Sequence, residues 1–298
     1  MKNVVVIGGG TGTFTVLSAL RDYPYHLFAL LTMVDDGGSN RVLRDEFGLL
    51  PTSGVRLAIV ALSSKQSLLR ELFNYRYHKG TGISGMTFGN LFLAAVADIT
   101  GSQEKAIEKT CELLSVKGKI LPISYEDVRL VAKYENGLEV EGEHYIDEPV
   151  HDGKLRIVEL FTKPKATISE NAREAILKAD AIILGPGDFY TNTVANLVIG
   201  GVSDAILESS AQLIFVTNLM TKYGEAYNYT ASDYLADLEK YIPVSRINTI
   251  LVNNDSEYPK SALEKYVKEH SVPVIDDLDS YNFLPTTRVV RSPILLSE

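Results

Sequence analysis

Apolar residues in this chain fall in short runs that end on glycine or on a polar residue. Val4-Val5-Val6-Ile7 is an unbroken β-branched run closed by Gly8-Gly9-Gly10, and Leu27 to Val34 is a second run closed by Asp35. Runs without alternation suit strands buried on both faces of a parallel sheet. Between them Phe14, Leu17 and Leu20 recur near one helical face, so the opening reads as a strand, a glycine turn, a helix and a strand. Helical spacing follows over 55–77, and again over 90–99 and 104–114, with a glycine-rich loop at 80–89. From Lys119 to Thr162 the period changes to two, as in Val128-Leu130-Ala132-Tyr134 and Leu155-Ile157-Glu159-Phe161, and Asn136-Gly137 marks a hairpin with a two-residue turn. The first texture then returns. A helix over 169–178 leads to the strand Ala181–Leu184, the strand Leu213–Thr217 ends in Asn218, and a helix over 231–241 leads to the strand Thr249–Val252.

This order predicts an α/β fold with a Rossmann-like, doubly wound, mostly parallel sheet and an antiparallel β insertion. A length of 298 residues is near the upper end for one hydrophobic core, so the expectation is a single domain over 1–298 with the β-rich insertion at about 117–165. A formal net charge of −9 argues against nucleic acid as a partner. With one cysteine no internal disulfide forms, and Cys111, beside Leu113 and Leu114, reads as a core residue. No leader is read before Val4, and no apolar run approaches the ~20 residues of a spanning helix. The expectation is a cytoplasmic protein without integral membrane contact.

Four strand ends carry the chemistry: Gly8-Gly9-Gly10-Thr11-Gly12, Asp35-Asp36-Gly37-Gly38-Ser39, Gly185-Pro186-Gly187-Asp188 and Asn218-Leu219-Met220-Thr221. In open α/β sheets ligands sit outside the carboxyl ends of the strands. Glycines let backbone approach a phosphate, and the helix that follows offers unpaired N–H groups. A dinucleotide fingerprint is incomplete here, because its third glycine falls on Thr13. The paired aspartates suit Mg²⁺ on one and a ligand hydroxyl on the other, with Asp36 expected to face the pocket and contact ligand or Mg²⁺ and Asp35 as the alternative, or else a solvated turn. Tyr190 reads as a residue that stacks on a base or sugar ring, and Asn218 as a donor and acceptor for a ribose or base edge. Asn90 reads as ligand-binding, with capping of its helix as the alternative. The five histidines lack metal-ligand spacing, no Walker lysine or G-x-S-x-G elbow is present, and the pairs Asp147-Glu148 and Asp276-Asp277 read as solvated loops.

Taken in order, GGGTG (8–12), DDGGS (35–39), LRDEFG (43–48), FNYR (73–76), FGNL (88–91), GPGDFYT (185–191) and NLMT (218–221), continued by Glu225 and YTASD (229–233), resemble the CofD-like proteins, and more closely their YvcK branch of gluconeogenesis factors. The resemblance implies a nucleotide pocket. In the CofD branch it implies Mg²⁺-dependent transfer of a phospholactyl group from an activated guanosine nucleotide. In the YvcK branch it implies binding of UDP-sugars and a link to cell-envelope growth on gluconeogenic carbon, with a homo-oligomer suggested. It places Gly8, Gly9, Gly10, Thr11, Gly12, Gly37, Gly38, Ser39, Arg44, Arg56, Asn90, Gly185, Gly187, Asp188, Tyr190, Thr191, Asn218, Thr221 and Glu225 around the ligand, with Asp35 and Asp36 as catalytic residues. The family pattern Pro-Pro-Gly-Asp-x-Arg appears as Pro51-Thr52-Ser53-Gly54-Val55-Arg56, and Gly-His-Ser appears as Gly85-Met86-Thr87. A nucleotide-sugar-binding regulator is therefore expected ahead of a transferase, and an NAD(P)-dependent oxidoreductase comes last because it does not require the last three loops.

Overall fold

The computed structural model describes residues 1–63, 68–255, 258–283 and 286–294. Its strands are β1 (Lys2–Gly8), β2 (Tyr25–Leu31), β3 (Lys119–Pro122), β4 (Arg129–Tyr134), β5 (Glu139–Glu141), β6 (Ile157–Lys163), β7 (Ala181–Leu184), β8 (Gln212–Val216), β9 (Thr249–Asn253) and β10 (Arg288–Ser292). Seven of them form one sheet in the order β10-β9-β8-β7-β1-β2-β3, every neighbouring pair parallel. The chain winds outward from β1 through β2 to β3, then returns to β7 on the other side of β1 and winds away through β8, β9 and β10. The strand order reverses between β1 and β7, the position where doubly wound sheets open a crevice.

The unbroken run at the start of the chain serves two cores. Val5 and Ile7 face one buried cluster with Leu30, Ile182, Leu184 and Phe215, while Val4 and Val6 face a second with Ala29, Leu31, Leu17 and Ile59. Because both faces are covered, no alternation survives in the sequence.

The structure changes three expectations about elements. Lys119–Pro122 is not part of the β insertion: it pairs parallel to β2 at the sheet edge, and the antiparallel three-stranded sheet β5-β4-β6 runs from 129 to 163. Its hairpin has a three-residue loop, Glu135-Asn136-Gly137, in which the Tyr134 N–H donates to Leu138 O at 2.8 Å and Gly137 takes φ +86°. The stretch read as one helix over 55–77 contains two, Ser53–Leu62 and Leu68–Asn74, with 64–67 outside the described residues. Cys111 packs against the second core, and burial pushes its thiol up to about 12, which suits a core residue.

The helix Gly10–Leu20 packs against the helix Ser53–Leu62 and runs the same way. At their far ends Arg21 donates to the carbonyls of Ala61 and Ser63, at 3.1 and 3.4 Å. A cation that closes the carboxyl end of the neighbouring helix fixes the pair side by side.

Candidate functional site

The loops after β1, β7 and β8 touch one another on the rim of the sheet. A side chain at Gly12 would stand 2.4 Å from Pro186 O, and one at Gly187 would stand 3.1 Å from Gly9 O. The Asn218 amide donates to Gly187 O at 2.7 Å. The glycines are thus required for loop-to-loop approach as well as for any ligand. Gly9 also lies under Asn192, whose amide donates to Asp188 Oδ2 at 3.1 Å. Gly10 opens its helix at φ +62°, with Gly9 as an N-cap that offers no side-chain bond. The first N–H groups of this helix are therefore uncapped at the switch point, and Thr11 beside them is exposed.

The loop after β2 turns toward the insertion. Asp36 Oδ1 accepts from the His144 backbone N–H at 2.9 Å, and its Oδ2 meets Arg129 at 3.5 Å. Asp36 thereby ties down the short helix Glu143–Asp147. Each Asp36 oxygen thus serves one donor, the Oδ1 contact the tighter of the two. Replacing Asp36 with Asn is expected to weaken ligand binding to the same degree with and without Mg²⁺, checked by titration in both buffers. Asp35 accepts from the Gly37 N–H at 3.0 Å, and burial raises its carboxyl despite this bond and one to Asn40. Gly37 and Gly38 lead into the helix Gly38–Phe47; the Ser39 side chain lies outside the described residues. Asp36, Gly38, Arg41, Arg129, Gly142 and His144 line a cavity of about 570 Å³ between this helix and the insertion.

The other end of the Glu143–Asp147 helix is held by Lys222. Its ammonium pairs with Asp147, with Asp188 Oδ2 at 3.0 Å and with Glu225 Oε1 at 3.6 Å. Glu225 is fully buried and accepts from the Tyr190 and Thr191 backbone N–H groups at 2.7 and 3.1 Å and from Thr191 Oγ1 at 2.8 Å. These donors belong to the π-helical turn Phe189–Val194 that follows the Gly185–Asp188 loop. Burial pushes the Glu225 carboxyl upward against the pull of Lys222. Burial opposes the Lys222 charge, but Glu225, Asp188 and Asp147 outweigh it and raise its pKa. The oxygens of Asp147, Asp188 and Glu225 lie close enough to share a cation, and the Lys222 ammonium fills that role.

Several residues expected around the ligand prove to be internal supports. Tyr190 is fully buried and donates to Asp237 Oδ2 at 2.6 Å, so it stacks on no ligand. Thr191 and Glu225 bond to each other, and Thr221 pairs its N–H and hydroxyl with Val272. Arg44 is buried on Val128 O and Asp127. Asn90 does not cap its helix: Thr87 does, and the Asn90 amide reaches Ser53 Oγ at 3.3 Å and Asn40 Oδ1 at 3.4 Å. The acidic pairs are not free loops either, since Asp147 holds Lys222, Asp276 holds Arg291, and Asp277 accepts from Ser232. Lys222, Asn192, Asn40, Ser53 and Arg129 are rim residues that the sequence reading did not single out. Lys222 and Asn192 lay within reach of it, three residues before Glu225 and four after Asp188.

A family model described as "2-phospho-L-lactate transferase CofD" matches residues 4–295. The chain belongs to the CofD family. Among CofD-family relatives, a "Gluconeogenesis factor" of Halalkalibacterium halodurans is 40% identical over 276 residues, covering 93% of this chain and 84% of its own. A "Gluconeogenesis factor" of Bacillus subtilis is 34% identical over 292 residues, covering 98% and 90%. A Nostoc relative is 39% identical over 297 residues, and this chain spans 64% of its length. The crystal structure of a UPF0052 family member from Bacillus halodurans superposes with a TM-score of 0.92 at 36% identity, over 100% of this chain and 94% of that one.

Proposed function

We propose that this chain binds a phosphorylated nucleotide of the nucleotide-sugar class on the rim described above and acts as a regulator of carbon metabolism and envelope growth, not as a transferase. The carrying observation is the uncapped N-terminus of the helix Gly10–Leu20 at the reversal of strand order, with exposed Thr11 in its first turn. Such a helix end favours a phosphate through its free N–H groups and its dipole. The relatives' name, gluconeogenesis factor, supports the link to carbon metabolism.

Phosphoryl-group transfer needs free positive charge aimed at the reacting phosphate. Here Lys222 is held by three carboxylates and Arg44 is buried on Val128 O and Asp127, which leaves the buried Arg56 as the rim arginine that could serve. A thermal-shift panel of UDP-sugars, GDP and NAD tests the reading, because a ligand at 100 times its dissociation constant adds about 2.7 kcal/mol. UDP-sugars are expected to raise Tm and NAD to leave it unchanged. Thr11→Asp is expected to abolish that rise while leaving the free protein as stable or slightly more so, by about 0.3–1 kcal/mol, since a carboxylate suits the helix end but repels a phosphate. A UDP-sugar shift that survives in Thr11→Asp, or turnover of a guanosine-activated phosphoryl donor, would sink the proposal. The Gly10→Val exchange is a poorer probe, because φ +62° strains any β-branched residue there regardless of ligand.

A further inference from the structure

We propose that a notch at the amino end of β2 is a docking site for an extended, acidic segment of a partner protein, which completes the strand that β3 leaves short. The notch lies at the opposite end of the sheet from the rim, so it is independent of the ligand site above.

β2 pairs with β1 from Tyr25 onward, but its pairing with β3 begins only at Phe28 opposite Lys119. The path of the chain explains the gap. The Lys117 N–H donates to Leu62 O at 2.8 Å, and Gly118 turns at φ +138°, where a side chain would stand 2.7 Å from Leu27 O. The segment before Lys119 is thereby drawn off toward the helix Ser53–Leu62 and does not continue the line of β3. The Ile123 N–H donates to Leu31 O at 2.9 Å, which fixes the odd-numbered residues of β2 as those whose backbone groups face β3. The Leu27 N–H and the Tyr25 C=O therefore point into the notch, and no strand of the described residues lies beside them there. Both residues line a cavity of about 680 Å³. An unpaired strand edge is a template for an added strand, whose main-chain bonds supply affinity while its side chains supply choice.

The surroundings specify the occupant further. Arg21, Lys117 and Lys119 line the cavity with Asp22 as its one carboxylate. Asp22 is already met by Arg21 at 3.3 Å and by Lys117 at 3.0 Å, whereas Lys119 is exposed and enters no salt bridge among the described residues. A positive excess on a chain of net charge −9 selects acidic side chains. Tyr23 and Tyr25 stack with ring centroids 6.1 Å apart and remain 60% and 37% exposed, so they offer an aromatic shelf at the mouth of the notch. A nucleic acid would use the charge and the rings, but only an extended peptide also uses the open ladder.

The test titrates a short capped peptide of alternating glutamate and valine into the isotope-labelled full chain and follows the backbone amide signals. The Leu27 and Lys119 amides are expected to shift, and those of Gly10 and Thr11 on the rim to stay in place. A lysine-for-glutamate peptide, and an acidic peptide N-methylated at the amides that would face β2, are each expected to bind at least about tenfold more weakly. Lys119→Glu is expected to weaken the acidic peptide about fivefold or more, and Lys119→Gln less, while both keep the Tm of the unaltered chain and its response to UDP-sugars. Equal binding of the N-methylated peptide would overturn the proposal, because no ladder would then form. Tighter binding of a single-stranded oligouridylate than of the acidic peptide would assign the notch to nucleic acid and overturn it as well. No binding of the acidic peptide would show that the lysines only blunt an open edge, with the same consequence.

Discussion

Replacing Lys222 with Met is expected to lower stability by about 3–5 kcal/mol, the usual result of leaving a buried charge without its partner. Among the described residues the ammonium is the only positive group within ion-pair reach of Glu225, which is fully buried. It also joins three parts of the chain that are distant in sequence: Asp147 of the insertion, Asp188 after β7 and Glu225 after β8. Methionine fills the aliphatic volume but supplies no charge, so packing changes little and the electrostatic loss dominates. Glu225 would respond by holding its proton, which weakens its acceptance from the Tyr190 and Thr191 N–H groups and loosens the turn behind the Gly185–Asp188 loop. Urea unfolding of Lys222→Met, Glu225→Gln and the double variant checks this. The double variant is expected to recover at least about 1 kcal/mol relative to the sum of the single losses, because the residues share one network. Strict additivity would show that the ion cluster does not hold the rim together.

Stability is expected to fall as the pH rises from about 5 to about 9, mainly through Glu143. Burial, then the nearby charges of Asp35, Asp147, Glu225 and Asp36, push its carboxyl up to about 9. An unfolded glutamate titrates near 4.3, so over this window the native state binds more protons than the unfolded one. The slope of unfolding free energy against pH is then negative. Asp35 and Glu225, also raised by burial, act in the same direction. Tm measured from pH 5 to pH 9 is therefore expected to decline by several degrees for the unaltered chain. Glu143→Gln, which keeps the shape but not the titration, is expected to make that decline shallower, with Glu225 and Asp35 supplying the remainder. A Tm profile equally steep in Glu143→Gln would assign the effect elsewhere. The helix that carries Glu143 is tied to Asp36 at one end and Lys222 at the other, so the same titration bears on how firmly the insertion sits on the rim.

How much of this was legible in the chain depends on the range of the interactions involved. The first strand, its glycine turn and the parallel sheet followed from local pattern, because a strand covered on both faces must be apolar at every position. Val4 to Ile7 satisfy this by serving two cores. The strands β3 and β10 were not legible. Both lie at sheet edges, where half of each residue faces water and charged residues such as Lys119, Arg288 and Arg291 are tolerated, so the apolar signal that marks a central strand is absent. The boundary of the insertion was misplaced for the same reason.

The residues gathered on the rim were also readable, since small and polar residues at strand ends mark the carboxyl edge of a doubly wound sheet. Their individual duties were not. Whether Tyr190 faces a ligand or the core depends on Asp237, 47 positions later, which accepts its hydroxyl. Whether Asp36 meets a metal or a backbone depends on His144, 108 positions later. Composition and spacing alone determined that a glycine-rich, phosphate-compatible rim would form. Only the tertiary structure decided which polar groups spend their bonds inside the protein and which helix ends are left with N–H groups to offer, because hydrogen-bond partners and buried counter-charges come from segments that no local pattern brings together.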